Sequence, residues 1–263
     1  MSALKNSFKE IIEDNYSGSN TITLKIVGFL NKFIDNKSKL LPYTESFKTQ
    51  FIDFNSTYNF LLEAEKRIKN DDIPGLREYL KNYKTTNDSK YAAIYRKCLP
   101  LLKNKSKLIT ISNSKTILEI LKLFEKDKNK FSVTVCESRP VFEGRIFANE
   151  LLKCNIEVNF ITEAMIAAYV PTVNVALIGA DKILKNGNVI NKMGSKILAI
   201  ACKEFDKPFY VAADSSKFSS NNKFRNPRKN PDEIWGKSIK RIQIKNQYLE
   251  EIEKKYITKI IRF

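Results

Sequence analysis

Residues Val175–Lys192, VALIGADKILKNGNVINK, open with an apolar run of strand length that turns abruptly polar at Gly179-Ala180-Asp181. Val175, Leu177 and Ile178 read as a strand buried on both faces, the pattern of a parallel sheet covered by helices. Asp181 then falls just past the strand's carboxyl end, the edge at which open α/β sheets bind ligands. Asn186-Gly187 is turn chemistry, and Asn191-Lys192-Met193-Gly194-Ser195 leads into a helical pattern whose first N–H groups are expected to hold an anion. One segment therefore supplies a carboxylate, an amide, an ammonium and a helix N-terminus.

Outward from this stretch, four more β-rich runs are read at 107–111, 131–136, 156–160 and 208–213, with the strand itself at 173–178. Helical runs at 116–126, 144–153, 162–169 and 195–205 separate them and are long enough to serve as crossovers between parallel neighbours. The predicted fold is α/β, a doubly wound, mainly parallel, Rossmann-like sheet in residues 104–263. Before Lys103 the period changes. Phe47, Phe51, Phe54, Tyr58, Leu61 and Leu62 recur at helical spacing and predict one amphipathic helix from Thr44 to Lys69. Leu24 to Ile34 predict a helix ending before Pro42, and 73–83 and 91–102 predict two more. Residues 1–103 are expected to form a helical N-terminal domain.

In such a sheet the residues after each strand converge. They are Ser112-Asn113-Ser114, Glu137-Ser138-Arg139-Pro140, Thr162-Glu163, Gly179-Ala180-Asp181 and Asp214-Ser215-Ser216-Lys217. Hydroxyls, Arg139, Lys192 and helix N-termini suit a phosphorylated ligand, a sugar phosphate or nucleotide, since arginine binds two phosphate oxygens while main-chain N–H groups take others. Each residue also has an ordinary structural role. Ser112 or Ser114 can cap the next helix, Arg139 can pair with Glu137 or Glu143, Asp181 can bond to a turn, and Lys192 can be solvated. The expectation of a pocket rests on their combination at successive strand ends.

Composition narrows the chemistry. The 263 residues include no histidine, and Cys98, Cys136, Cys154 and Cys202 lack Cys-x-x-Cys spacing. A histidine-dependent triad and a zinc site are therefore not expected, nor any cofactor, and the free thiols suit a reducing, cytoplasmic setting without a membrane segment. A net charge of +17 favours anionic partners. Most of it is lysine scattered along helices, which reads as solvated faces, so nucleic acid is the weaker expectation. The denser cluster from Lys217 to Lys229 reads as a long exposed loop serving as lid, partner contact or solvated surface.

Glu137-Ser138-Arg139-Pro140 with Glu143-Gly144-Arg145, then Gly179-Ala180-Asp181, Asn191-Lys192-Met193-Gly194-Ser195 and Pro208-Phe209-Tyr210-Val211, resemble the translation initiation factor 2B alpha/beta/delta family. That family also contains methylthioribose-1-phosphate isomerase and ribose-1,5-bisphosphate isomerase. Asn230-Pro231-Asp232-Glu233-Ile234-Trp235-Gly236 looks more like the initiation-factor branch. In the isomerases a cysteine after the first strand of the α/β domain and the aspartate of Gly-Ala-Asp move the proton as aldose becomes ketose, and the Asn-Lys pair holds substrate. The resemblance assigns these roles to Asp181, Asn191, Lys192 and Arg139.

Two departures touch that chemistry. Ser112 stands where the cysteine is expected, and the basic N-terminal phosphate motif is reduced to Ser17-Gly18-Ser19 without arginine. A thiol titrates near pH 8.5 and exchanges a proton readily, whereas serine needs a base beside it. Cys136, at the next strand end, is the alternative thiol. The expected function is a non-catalytic initiation-factor-2B-like subunit with ligand contacts from Gly18, Ser19, Ser112, Ser114, Ser138, Arg139, Asn191, Lys192 and Lys217. The resemblance also implies a homodimer or higher homo-oligomer and contact with initiation factor 2. A sugar-phosphate isomerase using Asp181 and a basic RNA-binding protein are the alternatives.

Overall fold

The computed structural model describes residues 2–102, 106–236 and 241–263. Five helices come first: α1 (Ser2–Ile12), α2 (Ser19–Phe33), α3 (Lys37–Gln50), α4 (Asn55–Lys69) and α5 (Ile73–Cys98). Leu4, Ile22, Ile26, Phe29, Phe47, Phe60 and Leu61 fill the bundle core, where Phe29 meets Phe47 edge-on at 5.4 Å between ring centroids.

Two expectations for this region are corrected. Thr44–Lys69 is two helices, because the chain turns at Phe51–Phe54, where the Phe54 N–H donates to the Phe51 carbonyl at 3.0 Å and the two rings stack at 5.9 Å. Stacked aromatics on both sides of a tight corner preserve helical spacing in the sequence while breaking the helix. The helix read at Leu24–Ile34 does end before Pro42, which lies inside α3. The runs 73–83 and 91–102 belong largely to the single 26-residue helix α5, about 39 Å long. Its first half, with Leu76 and Leu80, packs in the bundle, whereas Ile94, Tyr95 and Cys98 pack beneath the sheet. One helix thus ties both parts together. The expected boundary at Lys103 falls at 103–105, outside the described residues.

The remainder forms a six-stranded, all-parallel sheet from β1 (Ser106–Ile111), β2 (Phe131–Cys136), β3 (Glu157–Ile161), β4 (Val175–Ile178), β7 (Phe209–Ala213) and β9 (Lys259–Arg262), ordered β3-β2-β1-β4-β7-β9. Helices α6 (Lys115–Lys126) and α7 (Glu143–Leu152) cover one face with α5, while α8 (Ile166–Tyr169) and α9 (Ser195–Glu204) cover the other. Chain order runs outward from β1 to β3, then returns to β4 on the opposite side of β1. The switch point lies between β1 and β4.

Sequence reading missed β9 and a small antiparallel sheet, β5 (Lys182–Ile183), β6 (Val189–Lys192) and β8 (Leu249–Ile252). These strands are too short to show a period. The 162–169 crossover is a 3-10 turn and the four-residue α8 rather than one helix. Gly187, at φ +88°, makes the β5–β6 turn and returns Ile190 opposite Lys182. Among the described residues, no helix is long and apolar enough to cross a membrane.

Candidate functional site

The switch point places the residues after β1 and β4 side by side. A cleft with about 350 Å³ of free space opens there, lined by Ser112–Thr116, Ala180, Asp181, Asn191, Lys192 and Lys217, with Gly18–Asn20 from α2. Two glycines permit this approach. A Cβ on Gly179 would lie 2.3 Å from Ser114 Oγ, and one on Gly18 would lie 3.3 Å from the Asn113 carbonyl.

Two helices begin at the cleft. Ser114 caps α6, its Oγ accepting the Ile117 N–H at 3.4 Å, and Gly18 occupies the N-cap of α2 with no side-chain cap. Asn20 binds α2 to α6 by donating to Thr116 Oγ1 at 3.3 Å. The first N–H groups of both helices therefore point toward one space, carrying the positive ends of two helix dipoles.

Asp181 is buried, held by its N–H to the Ile190 carbonyl at 3.0 Å. Its carboxylate has no hydrogen bond or ion pair among the described residues. Asn191 Nδ2 donates to Ser195 Oγ at 2.9 Å. Lys192, also buried, places Nζ 3.2 Å from Glu143 Oε1 and 5.1 Å from the centroid of the Tyr248 ring. Lys217 is only 3% exposed and donates to Ser19 Oγ, so the expected exposed loop begins with a buried cation. Burial pushes the Lys217 pKa down, against the opposing pull of Asp214 and Asp181. Burial disfavours the Asp214 carboxylate, but Lys217, the Ser216 hydrogen bonds and Lys90 outweigh it and hold its pKa below the usual range.

Glu143 is the residue that sequence reasoning read differently. It lies in the first turn of α7, 2% exposed, and its Oε1 meets both Lys192 and, at 3.4 Å, Ser112 Oγ. Oε2 has no partner among the described residues, and burial raises the carboxyl pKa. Its partner Lys192 lies about fifty residues away in sequence, so no local pattern marks the pair. Arg139 pairs with neither expected glutamate. It is exposed over the Phe142 ring at 4.7 Å, while Arg145 takes Glu137.

Ser138, Arg139 and Cys136 do not line the cleft. Ser138 is a buried clamp whose Oγ accepts the Ser112 N–H at 2.8 Å and whose N–H donates to Glu163 at 2.6 Å. Cys136 is wholly buried among apolar side chains, and burial, then Glu163, raises its thiol pKa. The Cys98 and Cys202 thiols are buried as well and pushed up to about 12. The expected anion site at the start of α9 is corrected. The Glu250 carboxylate already accepts the Lys196 N–H at 2.9 Å and bonds the Gly194 and Ser195 N–H groups. No cluster of three or more metal-ligating side chains occurs among the described residues.

A helical bundle joined to a doubly wound parallel sheet, with a polar cleft at the switch point, defines the class of α/β protein. The chain belongs to the initiation factor 2 subunit family (IF-2B), whose family model matches residues 15–262. It is 40% identical over 111 residues to a putative translation initiation factor eIF-2B subunit 2-like protein of Pyrococcus abyssi, covering 42% of this chain and 40% of that protein. It is 31% identical over 162 residues to the ribose 1,5-bisphosphate isomerase of Archaeoglobus fulgidus, covering 62% of this chain and 50% of that enzyme. The chain thus spans half or less of the length of these curated relatives. The crystal structure of translation initiation factor eIF-2B from Pyrococcus horikoshii matches with TM-score 0.85 at 25% identity, covering 99% of this chain and 95% of that one.

Proposed function

We propose that this chain is an initiation-factor-2B-like subunit that holds a sugar phosphate or nucleotide in the switch-point cleft without turning it over, and acts through protein partners. The carrying observation is the cleft's composition: buried Lys192 and Lys217, two helix N-termini and an unpartnered Asp181 carboxylate surround a site in which Ser112 stands instead of a thiol. Cations and free N–H groups suit the phosphate, and Asp181 suits a sugar hydroxyl. An aldose-to-ketose conversion must move a proton between adjacent carbons, and the nearest strand-end thiol, Cys136, is buried with its pKa raised.

One observation favours the isomerase reading. Glu143, with a raised pKa, lies 3.4 Å from Ser112 Oγ and is thus a base beside the serine. The same Oε1 is tied to Lys192, which lowers its basicity. Phosphorus NMR on ribose-1,5-bisphosphate and methylthioribose-1-phosphate separates the readings. Binding without new signals is expected, and turnover abolished by Asp181→Asn would establish the enzyme instead.

The partner reading is supported by apolar side chains around the edge strand β3. Phe160 on β3, Ile146 on α7 and Met165 before α8 are each at least 39% exposed, and Ile197 and Ile200 on α9, over β4 and β7, are exposed apolar groups further along the same sheet. An unpaired edge strand fringed by such groups suits a second copy or a related subunit. Sedimentation is expected to give a dimer or larger species, and a low-salt pull-down is expected to retain initiation factor 2. The working compartment is taken to be the cytoplasm.

A further inference from the structure

Much of the +17 charge lies outside the cleft, and part of it gathers on one surface. Between α4 and the segment 218–225 runs a groove with about 1150 Å³ of free space, whose walls include Tyr58, Asn59, Leu62, Lys182, Lys223 and Arg225. The walls are fixed. Asn55 Nδ2 of α4 donates to the carbonyls of Ser216 at 2.7 Å and Phe218 at 3.1 Å. Lys182 Nζ donates to the Lys223 carbonyl at 2.9 Å, and the Arg225 N–H donates to Asp53 Oδ1 at 3.3 Å. These bonds pin the main chain of the segment and leave the Lys223 and Arg225 side chains exposed.

Among the described residues, none of these three cations is ion-paired with a carboxylate within 4.0 Å, and Asp53 is the single acidic residue in the groove. Lys182 is buried against the Lys223 carbonyl and serves the wall, whereas Lys223 and Arg225 are exposed, and two unpaired cations along one groove call for a polyanion. The remaining walls say which. Tyr58 is half-buried and has no ring or cation partner among the described residues, and the Asn59 amide has no hydrogen bond there either. A partly exposed aromatic ring beside an unpaired amide and cations is the arrangement that takes an unstacked base, its edge and its phosphates.

We propose that this groove binds single-stranded RNA, with Lys223 and Arg225 neutralising phosphates and Tyr58 stacking on a base. The site is separate from the switch-point cleft, so sugar phosphates do not compete for it. Fluorescence anisotropy of the full chain with a labelled 12-nucleotide uridine RNA, from 50 to 200 mM KCl, tests it. Affinity is expected to fall with salt, and Lys223→Ala with Arg225→Ala is expected to flatten the log–log salt slope by about 1.4. Both residues are exposed, so this double variant is expected to fold. Tyr58→Ala is expected to weaken binding about tenfold without changing the slope, while Tyr58→Phe retains it. Absence of binding at 50 mM KCl, or a slope unchanged in the double variant, would overturn the proposal. Equal affinity for a glutamate oligomer, equally sensitive to Tyr58→Ala, would reassign the groove to acidic peptides.

Discussion

Helices α6 and α9 both begin at the carboxyl edge of the sheet, but only α6 opens into the cleft. At α6, Ser114 caps one N–H while Lys115 and Thr116 line free space. At α9, Glu250 from β8 takes the first N–H groups itself. A helix N-terminus is therefore available to a ligand only where the chain does not supply its own carboxylate. The two surroundings also titrate with opposite sign. Burial raises the pKa of Glu250 at α9, whereas Lys217, the Ser216 bonds and Lys90 more than offset burial at Asp214 beside the cleft and lower its pKa.

The largest expected effect comes from breaking the cleft side. Asp214→Asn removes the charge that most favours the buried Lys217 ammonium and weakens the charged Ser216 hydrogen bonds, at a cost of about 3 kcal/mol at pH 7. The lowered pKa means that the Asp214 contribution is present above 3.8 and is lost as pH falls through the folded value, so the variant's deficit should shrink in acid. Denaturant unfolding at pH 7 and pH 3 checks both statements. A smaller effect is expected from Gly179→Ala, whose new Cβ must displace Ser114 at the start of α6. Overpacking costs about 1–3 kcal/mol, and the shifted cap should also weaken phosphate-ester binding, as titration calorimetry would register.

Glu250→Gln probes the filled end and should cost about 1 kcal/mol in acid, the scale of a hydrogen bond. The raised pKa reverses the sign: the Glu250 contribution is fully present below 4.5 and is lost as pH rises through the folded value. The variant should therefore approach wild type as pH rises, the opposite of Asp214→Asn. Glu250→Ala should further make the melting temperature depend on added inorganic phosphate, because the N–H groups of α9 are then free.

What was legible in the sequence follows the same division between local and distant causes. Parallel strands buried on both faces read as continuous apolar runs, so β1, β2, β4 and β7 lie within two residues of their expected bounds. Asp181, Asn191 and Lys192 were legible as neighbours because one strand and one hairpin carry them. The Glu143–Lys192 pair and the Glu250 cap were not, since each joins residues about fifty or more positions apart. The corner at Phe51–Phe54 was hidden because stacked rings on both sides of a turn keep helical spacing.

The proposed role of the cleft is to bind a phosphate ester and leave it unchanged. Phosphorus NMR of the purified full chain with ribose-1,5-bisphosphate tests this most directly, reading line broadening and chemical conversion in one sample. Broadening that is lost in Lys217→Met, with no product signal over hours, is the predicted result. Conversion to a ketose phosphate that disappears in Asp181→Asn would contradict it, and so would the absence of any broadening in the wild-type protein.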